Sequence, residues 1–392
     1  MNELPIELLI HICNYLNDKD KFSFFFTCKF FRDCSKYVCL KNLYFYHKVK
    51  NLISNFKFKT IYYKSIDENI PFGITYLDFL NSFNKPINNC IPNTILKLVF
   101  GSTFNQNVDG CLPNSIKFLI FGRDFNQVIN KNTLPDSLID LTFGDNFNQK
   151  INENILPNTL KSLTFGEKFN QSIKYLPDSL INLTFNNHYN EEIQGKILPG
   201  IKCLTFHKSF KGHIPNSVFH LIINDIDENK KKYIPKNVTH LTFSIVFNKP
   251  ILNCIPNSIT HLTFGNYFDQ SIMDCIPNSV THLTFGYYFN QSITDCIPNS
   301  VTHLTFGNKF NQSLGKMNNY ILQFNPCLYP INSCYDCDFD SNSDNIHSQY
   351  TIQKSEPYKS FLPLSLTHLT LTKSLYEKNI YFIDPKIKIT FL

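Results

Sequence analysis

A row of histidines recurs at one position of a repeated phrase, and imidazole side chains could bind metal ions or a partner. The row contains His240, His261, His282, His303 and His368, each followed two residues later by a threonine. A metal site needs ligands that converge at ~2 Å from one ion. A flat row of parallel rings without a carboxylate does not converge, so the row predicts either a polar strand surface or a partner-binding face.

Cysteines form a second set of potential ligands. They lie two residues before successive prolines of the repeated phrase, at Cys90, Cys111, Cys254, Cys275 and Cys296. Unmodified thiols in such a stack behave as small buried hydrophobes. Disulfides are rare in the cytosol, where we expect this chain to reside. The ladder therefore predicts packing and not metal or redox chemistry.

A Cys-x-x-Cys element, Cys334 and Cys337, lies near Cys327 and His347. Alone, such spacing is a weak zinc signal. The surrounding residues 315–362 break the repeat and are rich in Asn, Ser, Asp and Tyr. We interpret this segment as an irregular insertion or a degraded repeat unit that could contact a partner. No phosphate-binding loop, carboxylate pair or nucleophile motif occurs, so we predict a non-enzyme without metal or cofactor.

Charge and hydropathy narrow the class of partner. The net charge is +6, with lysines spread along the chain and one compact run, Lys230-Lys231-Lys232. Nucleic-acid binding normally shows a basic stripe. No apolar run reaches the ~18 to 20 residues that cross a bilayer, and the N-terminus lacks signal-peptide features. We therefore expect no nucleic acid, no membrane, and a cytoplasmic location, in the host cytoplasm if the chain is viral.

The histidines and cysteines belong to a repeat of about 21 residues, a period typical of solenoids. Each unit begins at a proline, such as Pro277, and carries apolar residues at fixed positions, here Leu283 and Phe285. Strand alternation puts these two residues on one face and His282 and Thr284 on the other. The pattern predicts one short strand per unit, with units stacked side by side.

Stacking turns each repeat position into a ladder. One predicted core ladder is Phe100, Phe121, Phe143, Phe165, Phe185, Phe206, Phe243, Phe264, Phe285 and Phe306. A second is Phe83, Phe104, Phe125, Phe147, Phe169, Phe210, Phe247, Phe268, Phe289 and Phe310. Each buried Phe contributes ~1.5 to 3 kcal/mol before entropy is subtracted. The asparagine that follows most phenylalanines of the second ladder predicts a buried ladder that satisfies turn carbonyls, and the repeated glycine, as at Gly286, predicts a turn.

The repeat resembles the FNIP repeat, a family related to leucine-rich repeats and known chiefly from amoebae and giant viruses. The resemblance rests on the sequence FNKPI at 83–87 and again at 247–251, followed by Ile-Pro at 91–92 and 255–256. It covers residues 68–314 and resumes at 361–372. It implies a leucine-rich-repeat-like solenoid of about thirteen coils, with residues 361–392 as terminal repeat and cap.

The first 45 residues do not fit the repeat. Leu8, Ile12, Tyr15 and Leu16 follow helical spacing, and further helices are predicted near 20–27 and 28–37. LPIEL at 4–8, Tyr15-Leu16, aspartates at 18 and 20 and CKFFR at 28–32 together resemble an F-box.

An F-box implies docking on the Skp-type adaptor of a cullin ubiquitin ligase. The resemblance implies that the apolar contact with the adaptor is formed by Leu4, Pro5, Leu8, Ile12 and Leu16. Solenoid ends also need capping elements, so the same helices could cover the first coil. One helical face can meet the adaptor while another meets the repeats.

The sequence thus predicts an α + repeat solenoid: an F-box at 1–45, a linker or degenerate first coil at 46–67, and the repeats. We expect a substrate-recognition subunit that binds a Skp-type adaptor and cullin complex and an unknown target protein. The alternative is a non-catalytic interaction scaffold without a ligase role. The candidate target-binding face contains Tyr76, Lys97, Phe118, Asp140, His240, His261, His282 and His303.

Overall fold

The computed structural model describes most of the chain as two compact units. The described residues are 5–186, 200–207, 214–226, 228–231, 234–317 and 358–392. The first unit comprises Met1–Asp225 and Lys232–Val238, and the second comprises Ile226–Lys231 and Thr239–Leu392.

Helices open the first unit, as the sequence predicts. They are α1 (Ile6–Tyr15), α2 (Asp18–Phe25) and α3 (Lys29–Cys34), followed by a 3-10 turn (Ser35–Tyr37). Helix α2 begins earlier than predicted because the Asn17 side chain accepts a hydrogen bond from the Asp20 backbone N–H and caps it. A buried core under these helices contains Leu9, Cys13 and Phe25.

Parallel strands form the rest of the first unit, each paired with the next along the chain. The elements are β1 (Cys39–Phe45), α4 (Tyr46–Val49), β2 (Lys57–Ser65), β3 (Tyr76–Phe79), β4 (Lys97–Val99), β5 (Phe118–Ile120), β6 (Asp140–Thr142), β7 (Ser162–Phe165), β8 (Asn182–Phe185), β9 (Cys203–Phe206) and β10 (His220–Ile223). Strand β1 lies within the segment expected to be F-box, and β2 within the segment expected to be a linker or a degenerate first coil.

The second unit repeats the same architecture. Its elements are α5 (Glu228–Lys231), β11 (His240–Phe243), β12 (His261–Thr263), β13 (His282–Thr284), β14 (His303–Thr305), β15 (Gly315–Met317), β16 (Tyr358–Ser360), β17 (His368–Leu371), α6 (Lys373–Asn379), a 3-10 turn (Ile380–Phe382) and β18 (Lys388–Phe391). Strand β14 pairs directly with β17, and β17 with β18. Strands β15 and β16 form a separate antiparallel pair. The predicted α + repeat solenoid is therefore correct.

Thirteen strands, β3–β14 and β17, follow the repeat prolines found in the sequence. No proline phrase precedes strands β1, β2 and β18. Strands β1 and β18 were not predicted, and β2 lies in the segment for which a degenerate coil was one of two alternatives. The pairing of β1 with β2 is also irregular between Leu40 and Leu43. These three strands join the stacks through backbone pairing, which a side-chain template does not detect.

The two phenylalanine ladders form the core of the coils, as predicted. Within one coil the ring centroids of Phe285 and Phe289 lie 3.9 Å apart, and Phe285 lies 5.8 Å from Phe306 of the next coil. Phe285 and Phe289 are both buried. Of the predicted members, only Phe210 lies outside the described residues. Stacking buries rings from both sides, which no isolated coil could do.

Glycine is required at the repeated position for a different reason from the one predicted. Gly286 does not adopt a positive φ; among the described glycines only Gly73 and Gly110 do. A Cβ atom on Gly286 would lie 2.0 Å from the carbonyl oxygen of Gly265 in the preceding coil. Glycine is therefore required by the close approach of neighbouring backbones and not by a turn.

The asparagine ladder exists, but it is neither buried nor directed at carbonyls. Asn105 is half-buried and Asn126 is exposed. The side-chain oxygen of Asn105 accepts the backbone N–H of Asn126 at 2.9 Å and the Gln127 amide at 2.9 Å. The ladder thus supplies acceptors to backbone donors of the next coil. Asp269 serves equally, accepting the Asn290 N–H at 2.9 Å.

Candidate functional site

Helix α1 exposes a row of apolar side chains. Its inner residues, Leu9 and Cys13, are fully buried, whereas Leu8 is 46%, Ile12 42% and Tyr15 79% exposed. Spacings of four and three residues put Leu8, Ile12 and Tyr15 on one side of the helix. We call these three residues the α1 row.

The structure places the other predicted adaptor residues around this row. Pro5 is exposed and precedes the helix, where its carbonyl oxygen accepts the N–H groups of Leu8 and Leu9. Leu16 is half-buried at the end of the helix, and Leu4 lies outside the described residues. Sequence reasoning did not assign a contact to Tyr15, although helical spacing includes it.

A buried ion pair fastens the helices to the first strand. The Lys21 ammonium lies 3.2 Å from an Asp18 carboxylate oxygen, and their side chains are only 1% and 3% exposed. Lys21 also donates to the Cys39 carbonyl at 3.2 Å, while Asp18 accepts the Asn42 N–H at 2.7 Å and the Tyr44 hydroxyl at 3.0 Å. Burial opposes ionisation of Asp18, but these hydrogen bonds outweigh it and lower its pKa. The helical module and the first coil therefore share one polar core.

The exposed strand face of the first unit carries varied side chains at the predicted register. Tyr76, Lys97, Phe118 and Asp140 are aligned on neighbouring strands β3 to β6. The Lys97 ammonium lies 4.6 Å from the Tyr76 ring centroid, a cation–π contact. Tyr62 extends the same row at β2, with its ring centroid 4.9 Å from that of Tyr76.

Two carboxylates on this face are held by neighbours. The Tyr62 hydroxyl donates to Asp78 at 2.7 Å. Burial and this hydrogen bond raise the pKa of Tyr62 to about 12. Burial also raises the pKa of Asp140, although Ser162 and Lys97 oppose the shift. The face therefore combines aromatic rings with charges that are already partly desolvated, which suits recognition more than proton transfer.

In the second unit the corresponding position holds a stack of imidazoles. Ring centroids are 4.0 Å apart between His240 and His261 and 4.1 Å between His261 and His282. The stack continues through His303 to His368. All five rings are half-buried on the strand face. The structure thus brings together the predicted histidines of this unit.

Threonines hold these rings in place. The Thr260 hydroxyl lies 2.9 Å from Nδ1 of His261 and 3.3 Å from the Thr239 carbonyl. A hydroxyl can either donate to a ring nitrogen or accept from it, so this contact holds the neutral ring in either tautomer. Burial and the neighbouring imidazoles, His240 among them, lower the pKa of His261 to about 4. The pKa values of His282 and His303 are lowered as well, so the three inner rings of the stack are neutral near pH 7.

No metal centre forms among the described residues, where no three His, Cys, Asp or Glu side chains gather around one point. Cys254, Cys275 and Cys296 are buried, whereas Cys90 and Cys111 are half-buried. Burial raises the pKa of the Cys275 thiol.

Two further sequence predictions concern a possible zinc-binding motif and membrane-spanning segments. The Cys-x-x-Cys element, with Cys327 and His347, lies outside the described residues. In the part of the chain that the structure describes, no helix has the length and apolar character to cross a membrane.

Comparison with family models confirms both resemblances. The FNIP Repeat model matches nine successive segments, most of them overlapping, which together cover residues 62–209 and 227–318. The F-box domain model matches residues 1–43. The repeat matches extend over more than half of the chain.

Similar proteins include one from a giant virus. "Putative F-box protein L165" of Acanthamoeba polyphaga mimivirus is 36% identical over 81 residues, which is 21% of this chain. The chain thus spans 30% of the length of the curated relative it matches. Among solved structures, CroV588, described as a novel circular LRR protein, is 29% identical, with 86% of this chain and 69% of that chain covered and a TM-score of 0.31.

Proposed function

This chain belongs to the FNIP repeat family, and we propose that it is a substrate-recognition subunit of a Skp–cullin–F-box ubiquitin ligase. An F-box joined to a repeat solenoid is the organisation of a protein-interaction adaptor, a class that is typically non-enzymatic. The F-box would bind a Skp-type adaptor, and the solenoid would bind the protein to be modified. Such a complex would assemble in the cytoplasm, of the host if the chain is viral.

The exposed α1 row carries this proposal. A helix that served only as a cap would bury its apolar side chains against the coils, as Leu9 and Cys13 do. Leu8, Ile12 and Tyr15 instead remain in solvent although each could bury apolar surface worth ~25 cal/mol per Å². An apolar row on one helix side is how helices engage a partner groove. We assign the adaptor contact to this row together with Leu4, Pro5 and Leu16.

The solenoid would supply the target-binding face. Tyr76, Lys97 and Phe118 combine an aromatic ring, a cation over that ring and a half-exposed phenylalanine. Aromatic residues dominate the energetics of protein interfaces. The imidazole face of the second unit would extend recognition with neutral hydrogen-bonding groups.

Adaptor capture tests the proposal. Tagged full-length chain is expressed in amoebal or other eukaryotic cells, and bound Skp-type adaptor and cullin are quantified by mass spectrometry. Leu8→Asp places a charge in the α1 row and should abolish recovery of both proteins. Asn14→Asp places the same charge at an exposed site of α1 outside that row and should leave recovery unchanged.

Equal recovery by the Leu8→Asp chain would refute the adaptor contact. If the unaltered chain recovers other proteins but neither adaptor nor cullin, the interaction scaffold without a ligase role is favoured instead. Circular dichroism of Leu8→Asp controls for folding, since the residue is already exposed and its substitution should leave the core intact.

A further inference from the structure

An alternating row runs along the first unit beside the target-binding face. It consists of the residue immediately before each strand from β4 to β10, and apolar and basic side chains alternate coil by coil. The members are Leu96, Lys117, Ile139, Lys161, Ile181, Lys202 and Phe219. The equivalent residues before strands β11 to β14 are all threonines. The alternation is thus particular to the first unit.

Backbone hydrogen bonds hold this row in register. The N–H of Lys117 donates to the carbonyl of Leu96 at 2.8 Å, and each later member donates to the previous one at 2.8 to 3.1 Å. Paired strands lie ~4.8 Å apart. Lysines on alternate coils are therefore separated by ~9.6 Å, and Lys117 and Lys202 by ~19 Å.

The lysines of this row are exposed and uncompensated. Lys117, Lys161 and Lys202 have no carboxylate within 4.0 Å among the described residues. The adjacent first strand positions add Lys97 and a single carboxylate, Asp140. Leu96 and Phe219 at the two ends of the row are 38% and 43% exposed. The surface therefore offers regularly spaced cations separated by apolar contacts, and its charge complement is an acidic ligand.

We propose that the alternating row binds an acidic segment of the target protein, extended as a polyproline II helix with a carboxylate at every third residue. That helix has three residues per turn and a ~3.1 Å rise, so carboxylates on one side recur every ~9.3 Å. Two turns of an α-helix span ~10.8 Å, and residues on one side of a strand recur every ~6.7 Å. Over the ~19 Å from Lys117 to Lys202, the carboxylate spacing of a polyproline II helix departs from the lysine spacing by under ~1 Å. The spacing of an α-helix departs from it by ~2.4 Å.

This inference rests on the proposed function only in assigning the solenoid to target recognition. It requires no adaptor contact. The probes are fluorescent peptides of about 12 residues, ~37 Å long when extended in this way. One carries glutamate at every third position with proline and leucine between, and the other has the same composition with its glutamates contiguous. Fluorescence anisotropy with purified full-length chain measures each dissociation constant.

The spaced peptide should bind at least tenfold more tightly than the contiguous one. Binding should weaken at least tenfold when the row is reversed in charge, because three ion pairs at ~0.5 kcal/mol each correspond to about tenfold. The row variant carries Lys117→Glu, Lys161→Glu and Lys202→Glu. A matched control reverses three exposed lysines elsewhere in the same unit and should change binding less than twofold. The control variant carries Lys131→Glu, Lys150→Glu and Lys174→Glu.

Equal affinity for the two peptides would overturn the spacing argument, and this comparison uses the unaltered chain, so it does not depend on any variant folding. An equal loss of peptide affinity in the row variant and the control variant would show that only net charge matters, and would refute a binding site at the row. Tighter binding of a single-stranded oligonucleotide, lost only in the row variant, would assign the row to nucleic acid instead. A chain that captures adaptor and cullin but shows no peptide preference would refute this inference alone and leave the proposed function standing.

Discussion

The buried pair of Asp18 and Lys21 should control whether the helical module stays folded on the first coil. Asp18→Ala removes the carboxylate and leaves the Lys21 ammonium 1% exposed, with the Cys39 carbonyl at 3.2 Å as its hydrogen-bond partner. Breaking a buried pair from one side costs ~3 to 5 kcal/mol, because an uncompensated charge stays buried. We therefore expect this substitution to destabilise the module by that amount.

Hydrogen exchange on the full-length chain measures this loss where it occurs. Each ~1.4 kcal/mol is tenfold in an equilibrium constant, so amides of α1 to α3 should exchange about two to three and a half orders of magnitude faster. Asp20→Ala is the matched control. Asp20 lies on the same helix but is exposed, and its carboxylate accepts only a surface hydrogen bond from Asn17. That variant should shift the free energy of opening by under ~0.5 kcal/mol.

Removing both charges separates pairing from packing. Asp18→Leu with Lys21→Met should recover the part of the loss that comes from the unpaired Lys21 charge. The Asn42 N–H and the Tyr44 hydroxyl lack their acceptor in both variants. Exchange of Asp18→Ala no faster than that of Asp20→Ala would contradict the expected loss. A double variant as unstable as the single one would assign the loss to these two donors and to the shape of the site, and not to the charge.

Two further predictions concern the coils. Gly286→Ala should destabilise the second unit by ~1 to 3 kcal/mol, because its Cβ would lie 2.0 Å from a backbone oxygen. The control is Gly200→Ala, whose Cβ would have its nearest atom at 3.1 Å. In thermal unfolding followed by circular dichroism, the control should lower the melting temperature less. His261 should titrate near pH 4 by NMR and not at its ordinary 6.5. Since its imidazole is protonated first in the unfolded chain, His261 alone should lower stability by up to ~3.4 kcal/mol as pH drops from 6.5 to 4, and a flat profile across that window would contradict this.

The core could be predicted from the sequence because two simple periods specify it. Strand alternation assigns Leu283 and Phe285 to one face, and the repeat period stacks each on its counterpart in the next coil. The reason for Gly286 could not be predicted in the same way. Its constraint is a carbonyl one coil away, and distances between coils are not encoded in local pattern.

Polar groups that depend on tertiary contact were harder to predict. Asp18 resembles a turn residue in the sequence, and its partners Asn42 and Tyr44 lie more than 20 positions away. In contrast, the exposure of Leu8 and Ile12 follows from helical spacing once Leu9 and Cys13 are placed inside. The exposed binding surface of a helix can thus be predicted once its buried face is known. Its buried polar contacts cannot be predicted in this way.

The alternating row was missed because its members precede the strands and fall outside the apolar template. Aligning the coils at their prolines puts Lys117, Ile139 and Lys161 in one column, and the alternation is then visible without a structure. Residue types that recur identically, such as the histidines and cysteines, are recognised in a sequence more readily than a column that alternates. A position that alternates between two residue types from coil to coil is a different signal from a position that is identical in every coil.

Identical repeats and alternating repeats differ in how well they can position a partner. In the second unit the His–Thr surface repeats on the five strands from β11 to β14 and β17, so a ligand displaced by one coil, ~4.8 Å, meets the same groups and keeps most of its contacts. In the first unit the same displacement would move carboxylates from Lys117 and Lys161 onto Ile139 and Ile181, leaving charges desolvated against apolar side chains. Specificity of this kind arises from penalising the wrong alignment as much as from favouring the right one. The first unit therefore has the means to exclude a displacement by one coil, and the uniform histidine stack does not.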